Sequence, residues 1–189
     1  MKIKAIAAVC KKAKSITLYD GDEHQWVGDG NSAYALPESL EGANEKTMCA
    51  IFDIPVEKTA DYLIRRISWP EVYSEADEHT GEEDLTFDTD MLVKFLGKDL
   101  LPCEADGRVY FVQAKYIKPI EDCDGLRLTL RRTPEGTVYI AAKDGMFLQA
   151  VLVPYRPEPV MVSWLGDLYN GAVGAQRELR REEDPDEDA

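Results

Sequence analysis

Apolar residues recur at helical spacing at Ile3, Ile6, Val9, Cys10 and Ala13, which predicts an amphipathic helix over residues 2–14. Ser15 marks its end. Ile16–Tyr19 reads as a strand, Asp20-Gly21-Asp22 as a turn, and Gln25–Gly28 and Ala33–Leu36 as two further strands around Asp29-Gly30-Asn31. Pro37 stops the last of them. The first forty residues thus read helix, strand, strand, strand.

The middle of the chain is less patterned. Thr47–Ile54 reads as a strand ended by Pro55, and Val56–Ile67 fits a helix or a strand equally. Residues 71–90 are dense in Asp and Glu, with Gly81 among them, and read as a solvated acidic insertion. Met91–Leu96 is a short apolar segment. Residues 102–107 read as a turn.

From Arg108 the pattern sharpens again. Arg108–Val112 is a strand, and Gln113–Glu121 a short helix weakened by Pro119. Leu126–Arg131 alternates as a half-buried strand does. Thr137–Ala142 and Met146–Val153 follow, separated by Lys143-Asp144-Gly145. This half also reads helix, strand, strand, strand, a sign of internal duplication, although two unrelated hairpins produce the same order. Residues 161–181 predict a last helix that begins with Trp164, Leu165, Leu168 and Tyr169 and is weakened by Gly166, Gly171 and Gly174. Residues 182–189 read as a disordered acidic tail.

Composition adds bounds. The chain has 189 residues, 44% of them hydrophobic, which suits a packed globule without disulfides or metals. Its 22 basic and 36 acidic residues give a net charge of −14, which repels nucleic acid at long range. The placement of the basic residues therefore matters more than their number. Residues 1–14 hold Lys2, Lys4, Lys11, Lys12 and Lys14 and no acid. No signal peptide or membrane-length apolar run is read, so a cytoplasmic protein with no membrane association is expected. Cys10, Cys49, Cys103 and Cys123 form no C-x-x-C pair and read as free thiols.

The segment from Arg108 to Ile120 (RVYFVQAKYIKPI) resembles a characteristic stretch of bacterial DNA sliding clamps, in which a strand ending in Phe-Asn leads into a helix carrying Arg-Tyr-Leu. Phe111, Lys115, Tyr116 and Ile117 stand in the corresponding places. Clamps continue through three strands to a C-terminal Met-Pro-Met-Arg-Leu, whose place is taken here by Val153-Pro154-Tyr155-Arg156-Pro157. The likeness covers residues 108–156. The first helix and hairpin fit a clamp domain more loosely, and residues 38–107 match by position alone. A bacterial clamp subunit strings three such domains together, and two subunits close a ring. This chain has room for one domain and runs on past the motif where clamps end.

The resemblance implies an α+β, DNA-clamp-like fold with two helix-plus-three-strand motifs, antiparallel sheets and basic helices on one face. The clamp-like domain would span residues 1–160, with motifs at about 1–54 and 108–156. It further implies a small phage or prophage relative that acts in DNA replication or repair as a non-enzymatic processivity or tethering factor. Such a factor would assemble as a homo-oligomer around double-stranded DNA and hold replication proteins. Lys4, Lys11, Lys14, Lys115 and Lys118 would then meet phosphates without reading bases. Val153, Pro154, Tyr155 and Arg156 would line a groove for partner peptides. Plainer readings stand beside both assignments. A helix must expose something polar, and lysine is a good helix former. Val153 reads equally as core, and Pro154 as the end of an edge strand. The alternative function is a clamp-fold interaction module that docks on a replication protein without encircling DNA.

Little recommends an enzyme. His24 and His79 lie outside any triad or metal motif, and no glycine run has phosphate-loop spacing. Glu75, Asp77, Glu78, Glu82, Glu83, Asp84, Asp88 and Asp90 lack the spacing of a calcium loop. No cofactor or metal is expected.

Overall fold

The computed structural model describes residues 2–75, 81–87, 91–156 and 158–183. The chain forms two compact units, Met1–Pro154 and Tyr155–Ala189. The first is a mixed α+β unit built on one large, mostly antiparallel sheet. Its elements run α1 (Ile3–Ala13), β1 (Ser15–Asp20), β2 (Gln25–Gly28), β3 (Ser32–Ala35), α2 (Glu45–Ile51), β4 (Leu63–Ser68), β5 (Glu83–Phe87), β6 (Val93–Phe95), β7 (Lys98–Ala105), β8 (Arg108–Gln113), α3 (Ala114–Ile117), β9 (Leu126–Arg132), β10 (Val138–Asp144) and β11 (Phe147–Leu152). The second unit holds α4 (Pro159–Glu183).

The described strands lie in the order β4-β1-β2-β3-β11-β10-β9-β5-β7-β6, with β8 also on β7. Every pairing is antiparallel except β1 with β4. The meander β1-β2-β3 and the meander β9-β10-β11 meet through their third strands, with Ala33 opposite Val151 and Tyr34 opposite Ala150.

Both faces of the central strands are covered. On one face Ile6, Val9 and Cys10 of α1, Met48 and Phe52 near α2, and Tyr116 and Ile117 of α3 pack on Ile16, Leu18, Val27, Tyr34, Ile140 and Leu152. On the other face Tyr19, Trp26, Tyr139, Leu148 and Val151 form a smaller cluster, against which Trp69 and Tyr73 pack. Ile16–Tyr19 is accordingly buried at every position, the polar Thr17 included.

The structure departs from the sequence reading in several places. Residues 45–51 are helical, not extended, because the Asn44 side chain caps the first turn by accepting the Thr47 N–H at 2.9 Å. Residues 56–67 divide into a 3-10 turn over Val56–Asp61 and the strand β4. The expected turn at 102–107 is mostly strand β7. Pro102 falls between the part of β7 paired to β6 and the part paired to β5, so neither ladder needs its missing N–H. The acidic insertion contains β5, whose Leu85 is buried; residues 76–80 and 88–90 lie outside the described residues. The second helix shortens to α3. The last helix lengthens to Pro159–Glu183 despite its three glycines. Of the acidic tail, residues 184–189 lie outside the described residues. No helix among the described residues is long and apolar enough to cross a membrane.

Candidate nucleic-acid interface

Helix α1 is amphipathic, and its buried stripe leaves Lys4, Lys12 and Lys14 exposed and Lys11 half-buried. Lys4 and Lys11 are seven residues apart, so they share a face about 10 Å apart along the axis. Lys11 and Lys12 in the last turn offset the partial negative charge of the helix C-terminus. Lys14 ends the helix in the left-handed conformation, φ 50°, and its carbonyl accepts the Leu63 N–H at 2.9 Å.

Helix α3 lies beside the start of α1. The Lys2 N–H donates to the Pro119 carbonyl at 2.7 Å, and the Lys2 ammonium sits 2.8 Å from both Glu121 and Asp122. Lys4 and exposed Lys118 line one shallow concavity with Lys2, Ile3 and Glu121. Among the described residues, no carboxylate pairs with Lys4, Lys11, Lys14 or Lys118.

Lys115 is placed differently. Its ammonium lies 3.7 Å from Oδ2 of Asp29 and 4.4 Å from the centre of the Tyr116 ring. The Asp29 side chain is only 1% exposed. Its Oδ1 accepts from the N–H groups of Asn31 and Ser32 and from the Ser32 hydroxyl, and its Oδ2 accepts the Tyr116 hydroxyl at 3.1 Å. Tyr34 in turn donates to the Tyr116 carbonyl at 2.9 Å. Lys115 therefore balances a buried carboxylate that ties the β2–β3 turn to α3. Burial pushes the nearby Cys10 thiol up to about 12, with Asp29 adding to the effect and Lys115 opposing it.

Val153 and Pro154 belong to the first unit, Tyr155 and Arg156 to the second. Val153 donates its N–H to the Asn31 carbonyl at 2.9 Å and borders a cleft of about 170 Å³ with Tyr19, Ile67, Trp69 and Tyr73. Pro154 is buried, Tyr155 half-buried and Arg156 exposed.

Two clusters escaped the sequence reading. One is the aromatic chain Trp26, Trp69, Tyr73 and Tyr139, with successive ring centroids 4.7, 6.4 and 5.0 Å apart. The other is a buried ion cluster. Glu82 accepts from Arg131 at 2.7 Å and from Lys143 at 3.1 Å. Arg131 looked like the solvent-facing position of an alternating strand, yet it is fully buried. The sequence signal was the presence of three arginines, Arg127, Arg131 and Arg132, in β9. No group of three His, Cys, Asp or Glu among the described residues is placed to hold a metal ion; Asp77, Glu78, Asp88 and Asp90 lie outside them.

Comparisons with known protein families, with characterised proteins and with solved structures found no match.

Proposed function

We propose that this chain is a sliding-clamp-like, non-enzymatic protein that associates with double-stranded DNA through phosphate contacts and tethers replication or repair factors, as a phage-type, cytoplasmic homo-oligomer. The observation that carries this reading is the shared placement of α1 and α3. Both pack on one face of the sheet, and Lys4, Lys11, Lys14 and Lys118 have no carboxylate partner among the described residues, in a chain whose total charge is −14. A basic strip on an acidic body suits sequence-independent contact with phosphate while the remainder repels it. The recurrence of helix and three-strand meander, joined third strand to third strand, supports a clamp-like pseudo-duplication. Lys115 contributes less to such a strip, because Asp29 holds it.

The second reading is an interaction module of the same fold that docks on a replication protein without encircling DNA. It is favoured by the exposed pair Met146 and Phe147, and by Glu121 standing beside Lys118.

The test combines light scattering with fluorescence anisotropy on a labelled DNA duplex at low salt. The first reading expects an oligomer whose affinity falls steeply with salt and drops when Lys4, Lys11 and Lys14 are replaced by Gln. A strict monomer with no affinity for the duplex would sink it.

A further inference from the structure

We propose that the groove between the β10–β11 hairpin tip and the chain following β3 docks a partner segment in which an apolar side chain sits beside a lysine or arginine. The reason starts in the strand register. Ala142 faces Ala150 and Lys143 faces Leu148, so Gln149 is an extra, bulged residue. Such a bulge bends the strand and re-aims the side chains beyond it. The tip, Asp144-Gly145-Met146-Phe147, turns through Gly145 at φ 60°. It leaves Met146 69% and Phe147 67% exposed. Two large apolar side chains side by side at a hairpin tip do not contribute to either described core cluster.

Beside this tip lies a groove of about 410 Å³. Its apolar lining comes from Ile3, Leu36, Pro37, Phe147 and Leu148. Its polar rim is His24, Glu38 and Glu41. Glu41 reaches His24 at 3.7 Å, while no cation pairs with Glu38 among the described residues. An apolar floor with a carboxylate rim recognises an apolar anchor flanked by a cation: burial supplies affinity, and the charges set orientation and selectivity. A second copy docked through this same face is the poorer occupant. It would bring one acidic rim against another within a molecule pair of already strong negative charge. Methionine at the tip suits the site, since its flexible thioether adapts to different apolar anchors. This inference does not rest on the DNA reading and stands if that reading fails.

The experiment pans a displayed random-peptide library on the immobilised full chain, then measures a synthetic copy of the enriched peptide by fluorescence anisotropy. The expected consensus joins Leu, Ile, Phe or Met to Lys or Arg within a few positions. Phe147→Ser then weakens the peptide at least about tenfold, the scale of a buried interface anchor. The double variant Glu38→Gln/Glu41→Gln weakens it about threefold or more and flattens its salt dependence. Gln149→Lys, which places a cation in the groove, weakens it too and serves where Phe147→Ser melts early. No enrichment, a consensus without a cation, or a peptide whose affinity is untouched by Phe147→Ser and Gln149→Lys would each overturn the proposal.

Discussion

Arg131 on β9 is fully buried and holds Glu82 in a two-point contact, Nε at 2.8 Å and Nη2 at 2.7 Å from the same carboxylate oxygen. The other oxygen accepts Lys143 of β10 at 3.1 Å. The stretch around residues 69–75 is held against the same sheet face. Arg131 Nη1 donates to the Ser74 carbonyl at 3.4 Å, and the Ser74 N–H donates to the Tyr139 hydroxyl at 3.3 Å.

Removing the carboxylate takes the shared negative charge away from a fully buried Arg131 and a nearly buried Lys143. Glu82→Gln keeps the shape and loses the charge, and is expected to cost about 3 kcal/mol or more. Urea unfolding of the two proteins at neutral pH measures it; a difference within error of zero would show that solvent screens the cluster.

The same pair sets an acid limb. Burial pushes the Glu82 carboxyl up, but the hydrogen bonds and charges of Lys143 and Arg131 outweigh it, so the group lies below its ordinary 4.5. A carboxylate depressed on folding contributes its stability fully above the ordinary value and loses it as pH falls through the lower, folded value. Asp20, held down chiefly by Arg66, acts in the same direction. Melting temperature should therefore fall as pH drops below 4.5, and more steeply in the wild type than in Glu82→Gln. Parallel curves would remove Glu82 from the account.

The Asp29–Lys115 contact separates a structural cation from the lysines proposed to face phosphate. Asp29→Ala deprives two backbone N–H groups and the Tyr116 hydroxyl of their acceptor, and is expected to destabilise by about 3 kcal/mol. Under the proposed DNA association, Lys115→Gln should lower stability while leaving the salt dependence of duplex binding nearly unchanged. Lys4→Gln, Lys11→Gln and Lys14→Gln should instead each reduce that slope by about 0.9, the share of one neutralised phosphate. A slope unaffected by these three, or reduced as much by Lys115→Gln, contradicts the assignment.

Gly28 sits where a side chain has no room. A Cβ there would collide with the Ser32 carbonyl across the β2–β3 hairpin. Gly28→Ala is expected to cost about 2 kcal/mol or more through strand displacement, read as a lowered denaturation midpoint.

The thiols offer a probe of the folded state. Burial pushes Cys10 and Cys103 up to about 12, which leaves no reactive thiolate near neutrality. Cys123 is partly exposed and is raised by a smaller degree of burial. A thiol reagent at a pH of about 8, near the ordinary thiol range, should label Cys123 first and Cys10 and Cys103 only on unfolding, as mass spectrometry of digests would record. Early labelling of Cys10 would mean that α1 opens readily.

The sequence exposed what local periodicity encodes. The stripe Ile6, Val9, Cys10 marked out α1, and the runs around Asp29-Gly30-Asn31 and Asp144-Gly145 marked out two hairpins close to their observed limits. It failed where a distant partner decides. Met48 and Phe52 suit a strand or a helix until the Asn44 cap is counted. Glu82 and Arg131 look solvated until their pairing across sheet neighbours is known. The lysines all had the same look in one dimension, and only the turn at Asp29 distinguished Lys115 from Lys4, Lys11, Lys14 and Lys118.

The union of β3 with β11 has a consequence for synthesis. β3 is complete by Ala35, and its four residues are buried in the finished sheet. Its ladder partner, Ala150–Leu152, emerges only after nearly all of the first unit has been made. Until then the nascent chain carries an apolar strand edge with nothing to zip against. Pairing between such distant segments is slow and leaves the intermediate open to association. The β3–β11 seam at the centre of the sheet is therefore among the last ladders that synthesis makes possible.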